Sequence, residues 1–199
     1  MTPSGRDPRG VATRASCTRL LPPVWQGGGM PARPVTVRRT TADDWEHVRD
    51  LRLAMLADTP IAYGETLAVA RRHAEAEWRM RGARGEAEHG TSLVAIDDGT
   101  GDWVGAMGGF LQAAGQPLLV GVYVAPTHRG RAAGVTDLLL DGVETWAATE
   151  GDTLRLHVHE QNERAIAFYR RRGYEPTGHT NAYALDPTAR ELEMLAPLR

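Results

Sequence analysis

The most constraining part of this chain is residues 118–178, where a strand, an Arg-Gly-rich turn, a long helix, a second strand and an Asn-headed helix follow in that order. The apolar run Leu118, Leu119, Val120, Gly121, Val122, Tyr123, Val124 stops at Pro126. His128, Arg129, Gly130, Arg131, Ala132, Ala133 and Gly134 then open a helix with Val135, Leu138, Leu139, Val143, Trp146 and Ala147 on one stripe. The first N–H groups of a helix have no partner within it, and its macrodipole places partial positive charge there. Small residues at such a start let a phosphate approach the main chain, and Arg129 and Arg131 add fixed charge. The turn therefore suits a pyrophosphate.

Other elements follow from periodicity. Val35 and Val37 alternate with polar neighbours as a short strand, and Thr41 with Asp43 and Asp44 caps a helix carrying Trp45, Val48, Leu51, Leu53, Met55 and Leu56. After a break at Asp58, Thr59 and Pro60, an Arg- and Glu-rich segment predicts one second helix running through Trp78 and Met80. Strands are expected at 92–97 and 103–111, joined by the turn Asp98, Gly99, Thr100, Gly101. Further on, Leu154, Leu156 and Val158 alternate with Arg155, His157 and His159 as a half-buried strand. Asn162 heads a helix with Ala165, Phe168 and Tyr169 that ends at Gly173, and residues 174–177 and 191–196 read as two more strands.

With 199 residues, 42% of them hydrophobic, the chain can bury one good core and not two large ones. A net charge of −2 argues against wholesale nucleic-acid binding, and no apolar run approaches the roughly 20 residues that cross a bilayer. A cytoplasmic protein is expected. The single cysteine, Cys17, excludes an internal disulfide framework, and no Cys/His metal spacing occurs. Residues 1–32 lack apolar periodicity and are rich in Pro, Gly and Arg. They are expected to be a disordered tail or a mis-assigned start upstream of Met30, with targeting a third reading, and residues 33–199 are expected to form the domain. The chain contains no lysine, so all 23 of its strongly basic residues are arginines.

The run Val122, Tyr123, Val124, Pro126, then 129–134, then Asn162, Ala165, Phe168, Tyr169, Gly173 and Tyr174 resembles the GCN5-related N-acetyltransferases (GNAT). Their turn pattern, Arg or Gln, two residues, Gly or Ala, one residue, Gly or Ala, is matched by Arg129, Ala132 and Gly134. The resemblance covers roughly residues 35–198. It implies an α/β fold: one domain with a mixed, mostly antiparallel sheet of six to seven strands and about four helices on its two faces. It also implies acetyl-CoA as cofactor, a primary amine of a small molecule as acceptor, direct transfer between them, and a homodimer as a common assembly. One departure is Ala132, where most relatives carry Gly, so an extra methyl faces the pyrophosphate.

Carried over residue by residue, the resemblance assigns cofactor contacts to Val122, Tyr123, Val124, Arg129, Gly130, Arg131, Ala132, Ala133, Gly134, Val135, Asn162, Ala165, Phe168 and Tyr169. In this fold the strand ending near Val124 splays from its neighbour, leaving main-chain groups that pair with the pantetheine arm as an added strand would. Tyr169 corresponds to the tyrosine that protonates the leaving thiolate, and its alternative reading is a core aromatic at helical spacing. Transfer needs a neutral amine, yet an amine of pKa ~10.4 is uncharged in only about one molecule in ~2,500 at pH 7. Many relatives carry a carboxylate on the strand before the turn, and residues 118–124 have none. Members that acetylate ribosomal-protein N-termini place a glutamate where His157 stands. His157, backed by His159 and Glu160, is therefore the candidate base, with surface strand histidines as the alternative. The loop 59–66 and the region 181–186 correspond to the acceptor cleft, which makes Tyr63, Glu65 and Tyr183 candidate substrate contacts. Two other functions share the fold: a non-catalytic acyl-CoA-binding module and a protein N-terminal acetyltransferase. A dinucleotide-binding oxidoreductase fits poorly, because the turn lacks three spaced glycines.

Overall fold

Residues 34–113 and 115–198 are described by a computed structural model. The expectations for residues 1–32, including the thiol at Cys17, lie outside them. The strands β1 (Val35–Arg39), β2 (Gly90–Asp97), β3 (Trp103–Leu111), β4 (Pro117–Val124), β5 (Thr153–His159), β6 (Glu175–Tyr183) and β7 (Asp186–Pro197) form one sheet in the order β1-β2-β3-β4-β5-β7-β6. Every neighbouring pair is antiparallel except β4 and β5. Period-two alternation divides the faces: on β5, Leu154, Leu156 and Val158 are buried while Arg155 and His157 are half-buried on the other side.

On one face lie α4 (Val135–Glu150) and α5 (Glu163–Arg171), and Val135, Leu139, Leu140, Val143 and Trp146 pack into the main core with Met107, Leu119, Leu156 and Met194. Leu140 takes the buried place expected of Leu138, which is half-buried. On the other face α1 (Trp45–Asp58) buries Leu51, Met55 and Leu56 beside Trp78 of α3 (Glu75–Ala83), in a second core that includes Tyr63 and Tyr123. Each such side chain contributes about 1.5–3 kcal/mol on burial. The cap expected at Thr41 forms as a reciprocal box with Asp44 before α1.

Two expectations are corrected. The single helix through Trp78 is two, α2 (Leu67–Ala70), capped by Thr66, and α3. Between them Ala74 takes an extended conformation, φ −74° and ψ 163°, which ends any continuous helix and opens α3. The late strands are also longer than their sequence suggests. β6 is an edge strand exposed along its whole length save Tyr183, and so shows no alternation to read.

Candidate functional site

Between β3 and β4 the register passes from Ala106↔Tyr123 to Gly108↔Val120, leaving two residues of β4, Gly121 and Val122, opposite Met107. Gly121 takes a positive φ of 65° at this bulge, a conformation that costs glycine nothing. On its other side β4 pairs with β5 only at Leu118↔Arg155 and Leu119↔Leu156. Beyond Leu119 the two parallel strands part. Their divergence opens a cleft of about 420 Å3 lined by Val122, Tyr123, Val124, Arg129, Gly130, Arg131, Asn162, Ala165, Phe168 and Tyr169.

At the floor of this cleft α4 starts from Gly134, whose φ of 68° is left-handed, and no side chain caps it. The only acid of its first turn, Asp137, is held by Arg171 and Arg172 at 3.0 and 3.1 Å. Burial raises the Asp137 carboxyl, but these two arginines outweigh it and draw it below its ordinary range. Asn162 caps α5, accepting from the Ala165 N–H at 3.2 Å. Arg172 also reaches Asp141 and Glu144, so the basic run ending α5 is largely a clamp onto α4.

Several residues expected around the cofactor also make structural contacts. Arg129 donates from Nε to the Val124 carbonyl at 2.6 Å, pairs with Asp58 and lies over the Tyr123 ring. Its charge is already matched, and it acts as a staple across the turn. Val135 is buried in the main core and Ala133 packs against it. Of residues 129–134, only Arg129, Gly130 and Arg131 line the cleft.

Tyr169 is 5% exposed, and its hydroxyl has no hydrogen-bond partner among the described residues. Burial pushes its phenol well above the ordinary tyrosine range. Tyr63 stands at the boundary with a second cavity of about 820 Å3, and its hydroxyl donates to the Val122 carbonyl at 3.0 Å. His157 lines that second cavity, as do Glu65, Arg52 and Arg81.

The groups behind His157 differ from those expected. Its Nε2 lies 3.6 Å from the Glu193 carboxylate and 3.3 Å from Asn181 Nδ2. His159 is buried edge-on against Tyr183, and Glu160 accepts from the Arg190 N–H. Glu65 is not free to meet a cation, because Arg52, Arg81 and His73 surround it at 2.5–3.1 Å. Burial would raise its carboxyl, but those hydrogen bonds prevail and hold it down at about 2. Tyr183 lines neither cavity. Its hydroxyl instead donates to the Tyr63 and Pro60 carbonyls at 2.9 and 3.2 Å, latching the β6–β7 hairpin onto the 60–63 loop.

Residues 53–174 match the model of the acetyltransferase (GNAT) family. The chain belongs to the GNAT family. No curated protein matches it significantly. Solved structures share its fold. The PaiA N-acetyltransferase of Thermoplasma acidophilum, in complex with coenzyme A, is similar at 17% identity and a TM-score of 0.65, over 82% of this chain and 99% of that one. A GCN5-related N-acetyltransferase of Kribbella flavida is similar at 20% identity and 0.65, over 82% and 98%. A phosphinothricin acetyltransferase of Sinorhizobium meliloti, in complex with AcCoA, is similar at 19% and 0.64, over 82% and 88%.

Within this GNAT fold the residues missed in the sequence sit on β7. Glu191 lines the larger cavity, and Glu193 faces His157 through the pairing His157↔Glu193. Their signal was present, since Glu191 and Glu193 alternate with Leu192 and Met194, but only the β5–β7 register brings the two polar faces together.

Proposed function

We propose that this GNAT-family chain is an acetyl-CoA-dependent N-acetyltransferase that moves an acetyl group directly to the primary amine of a small molecule. The observation that carries the reading is the unpaired end of β4 beside an uncapped α4, with an unpartnered tyrosine in the cleft between. Acetyl-CoA supplies an acetyl group activated as a thioester.

The chain's own groups fit that cofactor. The free N–H groups at the start of α4, with Gly130 and Arg131, would hold the pyrophosphate, and the glycine leaves the main chain open. The main chain of Val122 and Val124 would pair with the pantetheine arm, and one N–H would stabilise charge developing on the carbonyl oxygen. Tyr123, Asn162, Ala165 and Phe168 would wall the arm. Tyr169, kept neutral by burial, holds its proton in the cleft for the departing sulfur. On the other side of Tyr63, His157 takes the amine proton, directly or through water, with Glu193 stabilising the charge it gains. The base thus stands in the acceptor cavity and the acid in the cofactor cleft, as two proton transfers at opposite ends of one reaction require.

The test is calorimetric titration of acetyl-CoA into the full chain, with NADH as control, followed by a screen of primary amines for CoA release. Binding of acetyl-CoA alone, with turnover on some amines, is expected. No binding would overturn the placement of the cleft. Binding without transfer to any amine would favour an acyl-CoA-binding module instead.

A further inference from the structure

The larger cavity has two ends of opposite character. At one end, against β5 and β7, are His157 and the half-buried carboxylate of Glu191, which has no ion pair among the described residues. At the other end three arginines, Arg52, Arg81 and Arg84, face the same space. Two of them are matched: Arg52 and Arg81 bind Glu65, and Arg81 also binds Glu77 at 2.8 Å. The guanidinium of Arg84 has neither an ion pair nor a hydrogen bond among the described residues. Its side chain is exposed at the rim of the cavity, with the like charges of Arg81 and Arg52 near it. Of the three guanidiniums lining this end, the charges of Arg52 and Arg81 are met by Glu65 and Glu77, so Arg84 is the one open to an anion brought from outside.

We infer that the acceptor carries an anionic group, a carboxylate or phosphate, which Arg84 binds while the amine lies toward Glu191 and His157. The inference rests on the reading of the chain as an N-acetyltransferase. The span follows from the sheet. The Arg84 carbonyl adjoins Gly90 of β2, and the row Gly90↔Phe110, Phe110↔Leu118, Leu118↔Arg155 crosses three strand spacings from there to β5, two residues before His157. With strands about 4.8 Å apart the main chains at the two ends lie about 14 Å apart, and side chains reaching into the cavity from both ends bring anion and amine to on the order of 10 Å. That length exceeds an α-amino acid and matches a tripeptide or a long ω-amino acid.

The experiment pairs triglycine and 8-aminooctanoate with their carboxamides as acceptors for the full chain. CoA release is followed, and acetyl-CoA affinity is measured in parallel by calorimetry. The acids are expected to have at least tenfold higher kcat/KM than the amides. Arg84→Gln should bring each pair to near parity, Arg84→Lys should restore part of the preference, and acetyl-CoA affinity and Tm should stay unchanged. Equal use of acid and amide, preference for the amide, or a preference that survives in Arg84→Gln would overturn the assignment. Acetyl-CoA binding with no transfer to any of the four overturns it while leaving the cofactor reading intact. Loss of acetyl-CoA binding in the native chain would sink that reading instead.

Discussion

Tyr169 combines a packing position with the chemical role proposed for it. Its ring belongs to the main core beside Tyr174, and its hydroxyl reaches the cofactor cleft without a protein partner. Its phenol is pushed above the ordinary range, so it remains protonated throughout pH 6–9, and an alkaline limb caused by Tyr169 should lie above pH ~10. Tyr169→Phe is expected to lower kcat on the order of 100-fold with little change in acetyl-CoA affinity, read by steady-state kinetics and calorimetry. Unchanged turnover would remove the tyrosine from the mechanism. For His157 the informative axis is pH. His157→Gln should lower kcat/KM by about 10- to 100-fold at pH 7, and the deficit should shrink as pH approaches the pKa of the acceptor amine, where free neutral amine no longer needs a base. A deficit constant across pH would indicate a binding role. The place of Tyr169 on the inner face of α5 and of His157 on the polar face of β5 was legible because helical and strand periods fix which way each points, whereas the roles proposed for them come from the family resemblance. The partners of His157 were not, since Glu193 is 36 residues away and meets it only through strand pairing.

At the scale of elements, the strand–turn–helix run was readable because each part carries a local signal: an apolar run, a stop at Pro126, small residues, then a 3.6-residue stripe. Long-range commitments of charge were not readable. The pairing of Arg129 with Asp58 and the enclosure of Glu65 both depend on where α1 and α3 pack. The start of α4 rests on Gly134, whose left-handed φ costs other residues about 1–2 kcal/mol. Gly134→Leu should therefore lower Tm by a few degrees and weaken acetyl-CoA binding at least tenfold. Normal affinity in that variant would mean the pyrophosphate lies elsewhere. The hairpin latch is a second element-level device. Tyr183→Phe removes its donor, at a cost of about 1 kcal/mol, and frees the 60–63 loop that separates the two cavities. A higher KM for the acceptor with a smaller change in kcat is expected, because the loop borders the larger cavity while Tyr169 sits on α5, which the latch does not touch.

Across the whole molecule, the sheet places the smaller cleft, proposed for the cofactor, at the gap between β4 and β5, and the larger cavity, proposed for the acceptor, under α1, with charged clusters fastening the α1–α3 layer. Two buried or half-buried carboxylates carry much of that fastening. Glu65 ties α1 to α3 through Arg52 and Arg81, and Asp44 ties the α1 cap to β1 through Arg38 at 2.7 Å. Hydrogen bonding from Arg38 is the main cause that draws Asp44 down to about 2, a level Glu65 also reaches. Both folded values lie below the unfolded ones, near ~3.9 for Asp and ~4.3 for Glu. The stability they contribute is thus fully present above pH ~4.5 and is lost as pH falls toward 2, because the unfolded chain takes up the protons first. Allowing for solvent screening, each is worth on the order of 1–2 kcal/mol. For a chain of this length that corresponds to roughly 5–15 °C in Tm for the two together. Calorimetric scans from pH 7 to pH 2 should show Tm falling mainly below pH ~4.5. Asp44→Asn with Glu65→Gln should melt lower at pH 7 yet lose less on acidification, so that the two curves converge near pH 2. Parallel curves would mean that neither carboxylate keeps its charge in the folded state at the expense of the unfolded one.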